Sequence, residues 1–122
     1  MHPLAVERIT TDGFELLVAR GEIDIATSPR LITALNEAIT DSTGSLIVDL
    51  SEVEFMDSIG LALLVRAQRR MSRRDGGFAV VCPDGPVWRI FELTDMLGTL
   101  RVSPSRDAAL TAVDGYSGSG GS

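Results

Sequence analysis

Lysine is absent, histidine and cysteine occur once each, and no apolar run approaches the ~20 residues of a membrane helix. Each shortage excludes something. A lone cysteine, Cys82, rules out an internal disulfide framework and fits a reducing cytoplasm. A lone histidine, His2, sits at the chain start. It leaves no His-based catalytic triad and no His/Cys metal cluster, so no cofactor or metal is expected. The first residues do not read as a signal peptide, and no membrane association is expected.

What is present fits one ordinary domain. The 122 residues are 44% apolar and 23% charged, enough to bury a core without staples. Seventeen acids face eleven bases, for a net charge of −6. Such a chain is poorly suited to wrap nucleic acid or an anionic membrane. The imbalance is local: residues 1–60 hold eleven acids and three arginines, residues 61–122 six acids and eight arginines. The all-arginine usage matches the codon bias of a GC-rich genome.

The chain punctuates cleanly. Leu4–Ile9 and Phe14–Arg20 read as strands joined at Thr11-Asp12-Gly13, a hairpin signal. Ser28, as cap, and Pro29 open a helix carrying Leu31, Ile32, Leu35, Ala38 and Ile39 at helical spacing, closed by Gly44. Leu46–Leu50 reads as a strand covered on both faces. A second helix is predicted from Ser58 to Arg74, stopped by Gly76-Gly77, and a strand over Phe78–Cys82. Pro83–Pro86 is a turn into a third helix with Val87, Ile90 and Phe91. Thr99–Val102 is a last strand and Ser105–Val113 a last helix. Residues 115–122 are Gly/Ser-rich and read as a flexible tail, disordered or appended, outside a domain at 1–114.

The order ββαβαβαβα implies an α/β fold: a small, mainly parallel sheet with an N-terminal antiparallel hairpin and about four packed helices. Functional loops in such sheets follow the strand C-termini. Three qualify: Gly21–Ser28, Ser51–Ser58 and Pro83–Pro86. In the second, Asp57 and Ser58 enter a helix and Gly60 keeps its first turn slim. The Ser58 hydroxyl is expected at the positive end of the helix dipole. On these residues alone, Asp57-Ser58 reads first as an ordinary N-cap pair, with a functional Ser58 the lesser reading.

Gly21-Glu22-Ile23-Asp24, the strand Leu46–Leu50 and above all Phe55-Met56-Asp57-Ser58-Ile59-Gly60 resemble a stand-alone STAS domain of the anti-sigma factor antagonist family. Phe78–Cys82 and Phe91-Glu92-Leu93…Leu97 follow in the family's order. The resemblance covers about residues 4–113. It implies a STAS-like fold and a function without catalysis. Family members bind an anti-sigma factor that is also a serine kinase. By this resemblance the kinase phosphorylates Ser58 and is then released, and a serine phosphatase resets the cycle. Asp24, Asp57, Ser58, Ile59 and Gly60 would form the partner-binding surface. One departure is Ile59, where many relatives carry a smaller residue.

Other features were weighed against simpler roles. Asp24 and Asp57 could pair as acid and base, but no base accompanies Ser58. Arg66, Arg69, Arg70 and Arg73 share one side of the second helix, with Arg74 following. Without flanking aromatic groups they read as a solvated face whose cations suit a helix C-terminus, and no direct nucleic-acid binding is expected. Trp88 reads as packing, Cys82 as a buried small hydrophobe, and Thr27 and Ser28 as cap residues. An accessory STAS docking module of a transporter or signalling scaffold is the alternative reading. A nucleotide-binding module lacks a Gly-rich phosphate loop.

Overall fold

The computed structural model describes residues 3–11 and 13–120, with side chains as far as Val113. His2, Asp12 of the expected hairpin turn and the last two tail residues lie outside the described residues. The elements are β1 (Ala5–Thr11), β2 (Phe14–Ile23), α1 (Ser28–Asp41), β3 (Ser45–Met56), α2 (Ser58–Arg73), β4 (Phe78–Val81), α3 (Pro86–Leu93), β5 (Val102–Ser103) and α4 (Arg106–Gly120). This is the order expected from the sequence. The five strands lie in the order β1-β2-β3-β4-β5, with β1 antiparallel to β2 and every other pair parallel.

Strand alternation splits the apolar residues between two faces. Leu17, Ala19, Ile23, Leu46, Val48, Leu50, Phe78 and Val80 point to one face, where α1, α2 and α3 pack through Leu31, Leu35, Leu64, Met71 and Phe91. Leu16, Val18, Ile47, Ala79 and Val81 point to the other, which Ala109 and Val113 of α4 cover. Trp88 packs partly buried against the larger core and Cys82 is buried, as read from the sequence.

Several boundaries differ from the sequence reading. β2 runs three residues past Arg20, and β3 continues to Met56, so the expected loop Ser51–Ser58 is strand almost to its end. The cause is a pair of bulges. Between Val18 and Arg20 of β2 the partner strand advances from Asp49 to Glu52, and between Gly21 and Glu22 from Val53 to Phe55. Each bulge adds one residue to β3. Core-facing positions therefore fall at Leu50, Val53 and Met56, three apart, and the alternation that marks a strand is lost. Gly21, at φ 110°, supplies the left-handed conformation where the ladder shifts.

α1 begins at Ser28, with Thr27 in the cap position, so Ser28 is not the cap. It is buried, and its hydroxyl donates back to the Ile25 carbonyl at 3.0 Å. Ile32 of α1 is exposed rather than part of the core. The last strand is Val102–Ser103, not Thr99–Val102. Leu100 is buried in a turn, and Arg101 at φ 50° breaks the extended path before it. α2 ends at Arg73 and β4 at Val81, each one residue short of the expected end. α4 runs to Gly120, beyond the expected Val113. Its packing is carried by Ala109 and Val113, and the glycine-bearing part beyond has low helix propensity.

Candidate functional site

The C-terminal ends of β2 and β3 are tied together at the start of α2. Asp57 follows β3 directly, and its N–H donates to the Ile23 carbonyl at the end of β2, at 3.1 Å. Its carboxylate caps α2, accepting from the N–H groups of Ile59 (3.0 Å) and Gly60 (3.4 Å). The N-cap role weighed for the Asp57-Ser58 pair thus belongs to Asp57 alone. A carboxylate is well suited to it, because it meets both the free N–H groups and the positive end of the helix dipole.

Gly60 is buried under this turn. A Cβ there would lie 2.5 Å from Met56 Cγ and 2.8 Å from Ile23 Cγ2. Only glycine lets the turn settle onto the ends of both strands. Ile59 is half-buried beside it, and Ser58 is exposed as the first residue of the helix. Its hydroxyl makes no hydrogen bond with another described residue.

Asp24 follows Ile23 and is therefore next to the same junction. It is half-buried, and its environment is a closed loop of hydrogen bonds. Its carboxylate accepts from the Thr27 N–H at 3.0 Å, and its own N–H donates to Thr27 Oγ1 at 2.9 Å. The Thr27 hydroxyl donates in turn to the Glu22 carbonyl at 2.8 Å. Thr27, read from the sequence as a cap, holds the cap position but spends its side chain on the loop that presents Asp24. Its Asp-x-x-Thr spacing was the available signal.

The five expected residues thus gather at one junction: Asp57, Ser58, Ile59 and Gly60 on one turn, Asp24 beside it through Ile23. Two exposed apolar residues flank them and had no sequence signal. Ile25 is 72% exposed on the β2–α1 loop, and Phe55, 50% exposed, pairs with Glu22 near the end of β3. Asp84, on the third expected loop, instead lines a separate recess of about 140 Å³ with Leu50, Ser51, Val53 and Pro83.

Two groups away from the junction are electrostatically distinctive. Asp49 of β3 is buried on the α4 face, where burial alone would push its carboxyl up. Ser51 N–H and Oγ at 2.8 and 2.6 Å and Arg106 Nε at 2.7 Å hydrogen-bond the carboxylate, and the outcome is a value below the ordinary 3.8. Burial, with Asp49 adding to it, pushes the Cys82 thiol up to about 11. Among the described residues no His/Cys/Asp/Glu group has the arrangement of a metal site, and no helix is long and apolar enough to cross a membrane.

A mixed five-stranded sheet with three helices on one face and one on the other, and a serine displayed where β3 enters α2, defines a STAS-like α/β domain. Residues 5–109 match the STAS domain model, and the chain belongs to that family. It is 33% identical to the anti-sigma-F factor antagonist RsfB of Mycobacterium tuberculosis, covering 85% of this chain and 84% of that one. It is 30% identical to the anti-sigma-B factor antagonist of Staphylococcus aureus, over 82% of this chain and 93% of the relative. The crystal structure of an anti-sigma factor antagonist from Mycobacterium paratuberculosis superposes with a TM-score of 0.85 at 34% identity, covering 91% and 94% of the two chains.

Proposed function

We propose that this chain is a cytoplasmic anti-sigma factor antagonist controlled by phosphorylation of Ser58. In the unphosphorylated state it binds an anti-sigma factor that is also a serine kinase, and the sigma factor is freed. The kinase transfers a phosphate to Ser58 and lets go, and a serine phosphatase restores the binding form. The names of its relatives support the first part of this reading. The division of labour at α2 supports the second: Asp57 caps the helix, and the adjacent Ser58 hydroxyl is exposed and uncommitted.

The chemistry of the switch follows from that arrangement. A phosphate adds about −1.5 to −2 charge at neutral pH. At a helix N-terminus it meets the favourable end of the dipole, so the fold tolerates it. A partner seated over the same turn would meet a dianion crowded by Asp24, Asp57 and Glu22. Disrupting one buried charged contact costs roughly 2–5 kcal/mol. Since about 1.4 kcal/mol is a factor of ten, release by 100-fold or more is within reach. Asp24, held by Thr27, would meet a hydrogen-bond donor or a cationic group on the partner. The chain is a substrate and a binding partner in this scheme, not an enzyme.

The test is phosphosite mapping. Incubation with its anti-sigma factor kinase and ATP is expected to add one phosphate, on the peptide containing Asp57-Ser58-Ile59. Stoichiometric label on Thr27 or Ser28 with Ser58 unmodified would reject the assignment.

A further inference from the structure

Of the recesses, charged clusters and exposed apolar residues outside the Ser58 junction, one group stands out. From Ser58 to Arg74 the chain has no acid and five arginines, in a molecule of net charge −6. Ser58, Ala62, Arg66, Arg69 and Arg73 are all exposed. Their spacings of four, four, three and four put them on one stripe of α2. The arginine face therefore continues the face that displays Ser58. At about 1.5 Å per residue, Arg66 lies about 12 Å and Arg69 about 16 Å along the axis from Ser58.

Three observations distinguish this face from an ordinary solvated one. Arg66, Arg69 and Arg73 make no ion pair with any described residue, whereas Arg8, Arg20 and Arg106 are each bridged to carboxylates. With Arg70 they line a recess of about 270 Å³, a concentration of like charge that the fold itself does not neutralise. Arg66 and Arg70 also border a smaller groove between α1 and α2, where Ile32 is exposed and Leu63 half-buried. Apolar side chains beside guanidinium groups suit a protein segment with both acidic and apolar residues, because Arg pairs bidentately with carboxylates. Phosphates of a duplex would leave that groove unused, and the acidic junction at the other end of the helix would repel them.

We propose that the exposed stripe of α2 from Ser58 to Arg73 is one continuous docking surface, whose arginine end seats an acidic segment of the same anti-sigma factor kinase that acts at Ser58. The inference rests on the phosphoswitch reading for the identity of its partner. A standard interface covers about 800 Å² on each side, a disc roughly 30 Å across. The stripe from Ser58 to Arg73 is about 22 Å long, so one partner of that size centred near the middle of α2 covers both ends. The arginines hold the substrate without touching the reacting hydroxyl, so they act in docking and not in phosphoryl transfer.

The test is the combined variant Arg66→Glu, Arg69→Glu, Arg73→Glu, at positions that carry no bond the fold needs. In phosphorylation by the purified cognate kinase, KM is expected to rise by about tenfold or more with kcat within about twofold. The difference should shrink as salt rises from about 0.05 to about 0.5 M, where screening removes it. The corresponding glutamine variant should fall between. A KM equal to that of the wild type, with Ser58 still phosphorylated, overturns the proposal and leaves the phosphoswitch standing. If the wild type itself is not phosphorylated on Ser58, the phosphoswitch fails. Calorimetry of wild-type and triple-glutamate chains with the kinase then decides the docking surface separately, and equal affinities, or binding by neither, overturn it. Loss of binding to a short DNA duplex with an unchanged KM would assign the face to nucleic acid and likewise overturn it.

Discussion

The starts of α1 and α2 lie at the same end of the sheet and are built in opposite ways. α2 starts on the core: Asp57 caps it, its N–H is held by β2, and Gly60 lies on Ile23 and Met56. α1 starts on its own loop. Thr27 spends its hydroxyl on Glu22 and Asp24, and no side chain caps the helix. The contrast separates two tasks. The turn that displays Ser58 is rigid because the core fixes it, so a group added there need not reshape the fold. The loop that displays Asp24 is held by a few local hydrogen bonds, so its surface is the more easily altered without loss of the domain.

Substitutions break this comparison in a definite order. Gly60→Ala should cost the most, about 1–3 kcal/mol from overpacking against Met56 and Ile23, and Gly60→Leu should not fold. Urea unfolding checks both, and a wild-type midpoint for Gly60→Leu would mean that the turn does not rest on the core. Asp57→Ala removes a cap and should lose about 1–2 kcal/mol in the same assay. Thr27→Val should lose about 1 kcal/mol, since only the loop depends on that hydroxyl. Its effect on partner binding, through Asp24, should exceed its effect on melting.

A third helix start sharpens the contrast through pH. Arg106 at the head of α4 is tied to buried Asp49, whose carboxyl lies below the ordinary 3.8 in the folded state. A depressed carboxyl stabilises the fold above its unfolded value and loses that contribution as pH falls through the folded one. Stability of the wild type should therefore decline below about pH 4 more steeply than that of Asp49→Asn. Melting curves between neutral pH and about pH 3 check this. Equal slopes would mean that Asp49 carries no net charge-assisted bond.

Much of this was legible in the chain. The element order, the mainly parallel sheet with packed helices and the gathering of Asp57, Ser58 and Gly60 all follow from strand runs, helix punctuation and one motif. β3 was misread beyond Leu50 because two bulges replaced alternation by a spacing of three, which no single-sequence pattern marks. Neither Ser28 nor Thr27 caps α1 with its side chain, because the Ile25 and Glu22 carbonyls that take their hydroxyls are brought near only by the fold. Ile25 and Phe55 were invisible as surface residues, since an apolar residue beside a strand reads as core. Asp24 came from the resemblance, and its place beside Asp57 became physical only through the bond to Ile23.

The smallest structural effect belongs to Ser58, the residue on which the proposed switch turns. With Asp57 as the cap, Ser58→Ala should change stability by no more than about 0.5 kcal/mol. The decisive measurement is the affinity of the anti-sigma factor kinase for the unphosphorylated chain, the Ser58-phosphorylated chain and Ser58→Ala, by calorimetry without turnover, alongside their melting temperatures. The phosphorylated chain should bind about 100-fold more weakly or worse while melting as the unmodified chain does, and Ser58→Ala should bind as tightly as the unmodified chain. Equal affinity of all three forms, or a phosphorylated chain that binds weakly only because it has unfolded, would contradict the account.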